Sequence, residues 1–459
     1  MTVLPSLTVS LISEGVLPTS IGGVGRWLHY LINGLTDFSF NVIVIGGPEK
    51  YGYEKINRYE SLSLEDLEET GKVDPTALES LLKTFLDDCE NPLLHLEEAV
   101  EWYRSCPSTK SRSFWKVLTN FYQEHFLGRS YAKFFLTVRS LLSPMLRILR
   151  RKTPLEGDVY CALNAGYAGF AGVLMKALTG KPLLVTVHGI YEDEREWELR
   201  SMGEESWVTR LCLNFFKRMS EVVYEKADKI ITVNEANRRR LIELGAPKDR
   251  VETIENPVNT DVFKPTSKKT GDRIVVGTVI RIVPVKGLKD FILAAKRLTE
   301  KAPNLRFIVV GPVQDRRYFQ RCIELVERLN LSGSIEFVGE DDPTKWYPKF
   351  DVFVLPSLME CASMAVLEAM ASGLPVVCTE TAGTREMVGK YWPLTPPGDP
   401  EKLAERIYEV ITSLDECRSK ALKVAGEVAK RHSLKTFTER YFTTFMDLKS
   451  LGFNETQEA

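Results

Sequence analysis

No Cys-x-x-Cys pair occurs in the 459 residues, and the eight cysteines (89, 106, 161, 212, 322, 361, 378 and 417) are scattered without clustering. That usage belongs to a reducing compartment and offers neither a disulfide framework nor a zinc site. An excess of one charge is missing too. Sixty basic residues face 62 acidic ones, a net charge of −2, so bulk electrostatics gives no attraction to nucleic acid. No apolar run approaches the ~20 residues of a membrane-spanning helix, and no charged segment followed by an apolar stretch opens the chain. A cytoplasmic protein is the expectation. Gly-x-Gly-x-x-Gly is absent, which removes the dinucleotide fingerprint, and so is Asp-x-Asp where a metal would be needed.

What the chain does contain is ordinary in bulk. Hydrophobic residues make up 44% and charged residues 27%, as in a soluble globular protein. The length implies two or three domains, each with chain enough to bury a core. Leu7 to Ile12 reads as a strand, and the glycine-rich turn through Gly22, Gly23 and Gly25 follows it. Val24, Trp27, Leu28, Leu31 and Leu35 then recur at helical spacing. A turn of this kind lets backbone amides approach a phosphate or sugar, although Gly-Gly by itself is a weak signal. Asn41 to Ile45 is the next strand. From about 50 to 155 the alternation breaks into helical, loop-rich, aromatic sequence with few strand signals.

Within that insertion Gly128 to Leu155 holds no acidic residue, while Arg129, Lys133, Arg139, Arg147, Arg150, Arg151 and Lys152 lie among apolar side chains. Two readings fit. One is a basic amphipathic contact (129–152) with an anionic membrane surface, which would make the protein peripheral at the inner face of the membrane. The other is a helix packed on its own domain with a solvated basic face. Strands resume at Asp158 to Leu163 and Pro182 to Val187. They leave His188 just past a strand's carboxyl end, where open α/β sheets place ligands. Asn256 to Gly271, polar and with two prolines, reads as a linker to a second strand–helix series. Arg281 and Lys286 fall in the first strand-to-helix loop of that series, where cations neutralise a diphosphate. Further strands are expected at 306–310, 334–338, 351–355 and 374–378, and a helical end at about 400–450, with a disordered tail from Gly452.

The segment Pro356 to Pro375 carries the most information. Ser363 reads as an N-cap, Met364, Leu367 and Met370 as a helix, and Gly373 as its stop. Glu360 then lies in the loop and Glu368 on the helix, so the two carboxylates bracket a helix N-terminus, an anion site. On spacing alone a solvated loop glutamate and a surface glutamate read equally well.

The pattern Glu360-x7-Glu368 within Pro-Ser…Leu-Glu-Ala-Met-Ala-Ser-Gly-Leu-Pro-Val-Val resembles the signature of the retaining GT4 glycosyltransferases of GT-B fold. Arg281-x4-Lys286 resembles that family's diphosphate pair, Asn256-Pro-Val-Asn-Thr-Asp261 its hinge, and Thr381 to Glu386 its turn after the next strand. The run Thr186-Val-His188-Gly-Ile-Tyr191, with its charged continuation, is similar to the PelF-type exopolysaccharide glycosyltransferases. The chain departs from the family at Cys361-Ala362-Ser363, where Gly-Phe-Gly is usual, and this bears on the donor sugar.

The resemblance implies two Rossmann-like domains across a cleft: residues 1–256 for the acceptor, 257–430 for a nucleotide-sugar donor, and 431–459 crossing back. It implies retaining transfer from a nucleotide diphosphate donor, a UDP-sugar favoured, to a glycan or lipid-linked acceptor. No cofactor or metal is expected, because Arg281 and Lys286 supply the positive charge. Glu360, His188, Arg281 and Lys286 are the implied catalytic group. Gly22, Gly23, Ala362, Ser363, Met364, Ala365 and Glu368 join Arg281 and Lys286 around the donor, with Glu368 on the ribose. A nucleotide-sugar 2-epimerase of the same architecture and a non-catalytic subunit of a polysaccharide complex are the competing readings.

Overall fold

The computed structural model describes residues 7–18, 22–48, 52–62, 75–86, 112–149, 153–201, 203, 206–266, 273–302 and 304–455. They form two parallel sheets, each covered by helices on both faces. The first comprises β1 (Thr8–Glu14), β2 (Ser39–Ile45), β3 (Ile56–Leu62), β4 (Val159–Ala162), β5 (Leu183–Val187), β6 (Lys229–Thr232) and β7 (Val251–Thr253), in the order β3-β2-β1-β4-β5-β6-β7. The second comprises β8 (Ile274–Val279), β9 (Leu305–Val310), β10 (Ile335–Gly339), β11 (Val352–Leu355) and β12 (Val376–Cys378), in the order β10-β9-β8-β11-β12. The central strands are near-continuous apolar runs because parallel strands are buried on both faces; β5, Leu-Leu-Val-Thr-Val, is fully buried.

In both sheets the strand order reverses beside the first strand of its series, between β1 and β4 and between β8 and β11. Crevices at the carboxyl ends of such strands are where open α/β sheets bind ligands. The glycine turn follows β1, His188 follows β5, the Arg281 loop follows β8 and the Glu360 loop follows β11. Four separate stretches of sequence therefore converge on one cleft through topology alone.

The insertion departs from expectation in one respect. Ile56–Leu62 is a parallel strand, paired with β2 from Phe40↔Ile56 to Ile45↔Leu62. It is an edge strand, half-exposed and carrying Asn57, Arg58 and Glu60, and so lacks the apolar signature of its neighbours. The basic stretch is mostly the helix Tyr131–Leu149, which turns Phe134, Val138, Leu141, Leu142, Met145 and Leu146 into the core of the first domain. This apolar face is used within the domain, as the packed-helix reading expects. Arg150, Arg151 and Lys152 lie outside the described residues. Among the described residues no helix is long and apolar enough to cross a membrane.

The last helix, Leu434–Glu455, runs through the segment expected to begin a disordered tail; residues 456–459 lie outside those described. It packs Phe437, Tyr441, Phe445 and Leu448 against Trp27, Leu28 and Leu31 of the helix Gly23–Gly34, so the chain's end closes on its first domain. Near the crossing between the sheets the chain passes itself twice. The Val258 N–H donates to the His432 carbonyl at 2.8 Å, and the His432 ring Nδ1 lies 2.9 Å from the Asn256 carbonyl. Residues 267–271 of the expected linker lie outside the described residues.

Candidate active site

Between the sheets lies a cavity of about 430 Å³, and all eleven residues singled out from the sequence line it. Two glycines explain how the loops come so close. Gly22 has φ +149°, a backbone that other residues rarely adopt, and a Cβ there would sit 3.8 Å from the Arg281 side chain. Gly287 has φ +67°, and a Cβ would lie 1.9 Å from the Pro356 carbonyl oxygen. Only glycine lets the Lys286 loop press on the Pro356 loop, which a hydrogen bond from Leu358 N–H to the Val285 carbonyl (2.8 Å) holds in place. Gly23 faces Met364 across the cleft.

Lys286 Nζ donates to Glu360 Oε2 at 2.5 Å, and the Ser357 hydroxyl reaches the same oxygen at 3.4 Å. Both partners of this pair are largely buried, at 15% and 11% exposure, so it interacts in a medium that screens poorly. Arg281 stands apart on the rim, exposed, and donates to the Gln314 side chain at 3.0 Å. The two cations are therefore unequal: one is largely buried beside Glu360 and the other lies exposed, held by Gln314.

Glu368 is 1% exposed, which overturns the reading of it as a surface glutamate. Its Oε1 accepts from the Arg26 guanidinium, and its Oε2 lies 2.9 Å from the Tyr347 hydroxyl. Arg26 comes from the helix after the glycine turn, so this ion pair joins the two domains, and the guanidinium also stands over the Phe263 ring. Ser363 occupies the N-cap position of the helix Met364–Ala371, yet its hydroxyl caps nothing. The first-turn amides receive no bond from that side chain, and helix N-termini of this kind suit anions.

His188 packs edge-on against Trp27, ring centroids 4.7 Å apart, and its Nε2 is enclosed without a hydrogen-bond partner among the described residues. Burial lowers its pKa to about 3, so the ring is neutral at physiological pH and gives or takes a hydrogen bond without net charge. Glu14, at the end of β1, accepts from Ala168 N–H at 2.9 Å, and burial raises its pKa.

Three interdomain contacts position the Glu360 loop. Asn234 donates to the Cys361 carbonyl at 2.6 Å, and Asn256 to that of Ala362 at 3.2 Å. The Glu386 carboxylate accepts from the N–H groups of Glu235 and Ala236, at the start of the helix Glu235–Glu243. Sequence reasoning missed Arg26, Tyr347, Asn234 and Glu386 as members of the site. Glu386 alone had a signal, since it lies in the Thr381 to Glu386 turn.

The arrangement offers a carboxylate pair, a buried cation, an exposed cation and a helix start without a side-chain cap around one space. Comparison with known proteins accords with this. Residues 7–249, more than half of the chain, match the family described as a domain of unknown function (DUF3492), and residues 259–427 match the glycosyl transferases group 1. The chain is 27% identical over 281 residues to the 2-deoxystreptamine N-acetyl-D-glucosaminyltransferase of Streptomyces fradiae, covering 59% of this chain and 66% of that relative, just under two-thirds of its length. Two solved structures share the fold. Sucrose-phosphate synthase from Thermosynechococcus elongatus has a TM-score of 0.67 at 16% identity, covering 97% of this chain and all of that one. Anabaena HepE, in complex with UDP and glucose, has a TM-score of 0.63 at 17% identity, covering 96% of this chain and 99% of that one.

Proposed function

We propose a retaining, metal-independent GT4-type transfer from a UDP-sugar for this chain, which belongs to the DUF3492 family through residues 7–249, matches the glycosyl transferases group 1 over residues 259–427 and has the GT-B fold. The observation that carries the proposal is the convergence of Lys286, Glu360, Glu368 and the uncapped helix at Met364 in one cleft. As the bond from the anomeric carbon to the diphosphate oxygen breaks, negative charge gathers on that oxygen. Lys286, the first-turn amides and Arg281, swung in from the rim, stabilise it, so charge that grows in the transition state meets donors already in place. The acceptor hydroxyl oxygen bonds to the anomeric carbon on the face the leaving group vacates. Its proton passes to the departing diphosphate, and configuration is retained. Glu368 takes the ribose hydroxyls, Glu360 lies beside the donor sugar, and neutral His188 donates to or accepts from a sugar hydroxyl without adding charge. Gly22 and Gly23 let backbone approach the diphosphate.

UDP is favoured over other nucleotides because HepE, which shares the fold, is solved with UDP and glucose. An exopolysaccharide product, as the PelF-type resemblance implies, is the matching biological setting. The test is product analysis with radiolabelled UDP- and GDP-sugars, with and without glycan acceptors, and NMR assignment of the new anomeric centre. Transfer with retained configuration supports the proposal. Epimerised donor would assign the chain to the 2-epimerases, and no turnover with any donor would point to a non-catalytic subunit.

A further inference from the structure

Beyond the diphosphate loops the cavity continues along the helix Tyr191–Ser201. Tyr191, Glu194, Arg195 and Glu198 follow i, i+3, i+4, i+7 and share one face, which lines the cavity with Trp197 at its edge. Lys286, Arg281 and Arg26 lie with Glu360 and Glu368 around the donor loops, whereas this wall presents Glu194 and Glu198, with Glu14 near Tyr191 (3.4 Å between the hydroxyl and Oε2). Its one cation, Arg195, is already engaged. It pairs with Glu198 at 2.9 Å, and its guanidinium stands 5.1 Å over the Tyr191 ring.

Glu194 is different. It lies half-buried against the Gly189 backbone and lines the cavity, and no side-chain hydrogen bond from the described residues reaches it. A carboxylate in this state accepts hydroxyl donors through either oxygen. The enclosed Nε2 of His188, on the same cavity, is a second polar atom with no partner among the described residues. Hydroxyl groups answer both demands, and a half-exposed indole offers a flat apolar face to the C–H side of a sugar ring. Phosphate or carboxylate would meet like charge at Glu194 and Glu198.

We propose that this helix wall is the acceptor subsite, and that it takes the uncharged, hydroxyl-bearing end of a saccharide, with Trp197 stacking on the ring and Glu194 accepting its hydroxyls. The proposal rests on the glycosyl-transfer reading above and narrows its acceptor class: any lipid phosphate of a lipid-linked acceptor lies outside this wall.

Saturation-transfer-difference NMR on the whole protein loaded with UDP tests it. The probes are cellobiose, maltose and N,N′-diacetylchitobiose as neutral saccharides and glucose 6-phosphate as the anionic one. We expect saturation of at least one neutral disaccharide in the wild type, reduced at least ten-fold in Trp197→Ala and in Glu194→Gln, with the UDP signals of both variants retained. Retained UDP signals also show that the variants are folded. Saturation of glucose 6-phosphate alone, no saturation of any disaccharide, or variants that bind as wild type would each overturn the proposal. Absence of UDP signals from the wild type, with disaccharide binding that still depends on Trp197, would instead overturn the donor reading and leave the saccharide site standing.

Discussion

Glu368→Gln separates the two jobs this buried carboxylate has been given. In the free protein it holds Arg26 and the Tyr347 hydroxyl; in the proposed complex it exchanges Arg26 for the ribose hydroxyls. Glutamine keeps the shape and an acceptor for Tyr347 but removes the charge. Hydrogen bonds to a charged acceptor contribute about 1.5–3 kcal/mol, so UDP should bind roughly 10–100-fold more weakly. Loss of the interdomain ion pair acts separately. Arg26 keeps 24% of its side chain exposed and is partly rehydrated, so the cost should fall below the 3–5 kcal/mol typical of breaking a fully buried pair. Thermal shift distinguishes the effects. At a UDP concentration about 100 times the wild-type Kd, ligand stabilises wild type by about 2.7 kcal/mol and the variant by only about 0.4–1.4 kcal/mol. A variant that melts lower without ligand yet gains as much from UDP as wild type would refute the ribose role while leaving the ion pair intact as a structural contact.

Two further outcomes are expected. Glu192, whose pKa burial raises to about 7, has one oxygen near the Tyr224 hydroxyl (3.2 Å) and the other enclosed without a partner. Its folded pKa lies above the unfolded value, so its contribution to stability is present below about pH 4.5 and lost as pH rises through about 7. Glu192→Gln should therefore raise Tm at pH 8 and change it little at pH 5; a pH-independent difference would contradict the raised pKa. Phe445→Ala empties a fully buried position between the last helix and the first, and should destabilise by about 3–5 kcal/mol in denaturant titration. A change under about 1 kcal/mol would mean the terminal helix is not part of the first domain's core.

Much of the fold was legible because period and length carry it: apolar strands alternating with amphipathic helices predict parallel sheets wherever both faces are covered. The exception, Ile56–Leu62, is instructive. An edge strand needs only one buried side and can carry Arg58 and Glu60, so its composition resembles a loop. The cavity-lining residues singled out from the sequence were legible because each sits at a strand end, in a strand-to-helix loop or in the helix that follows it, positions a local pattern identifies. Arg26 and Tyr347 were not, because their significance is a partner 342 and 21 residues away, and an arginine at the start of a helix or an aromatic before a proline has no local mark of that. Ser363 shows the converse. Its identity predicts a capping side chain, but the structure leaves the cap unmade where an anion site needs open amides. The basic stretch left two readings open because its apolar half packs into the core, and burial is not visible in composition.

Leaving-group stabilisation is the claim on which the rest depends, and paired measurement of Tm and donor turnover on Lys286→Ala and Arg281→Ala tests it most directly. Removing one preorganised donor from such a site slows reaction by about 100–1,000-fold, equivalent to about 2.7–4 kcal/mol. We expect that loss for Lys286, which is fixed beside Glu360, and a clear loss for Arg281, with the Tm of Arg281→Ala unchanged because its side chain sits exposed on the rim. Wild-type turnover in both variants would contradict the mechanism.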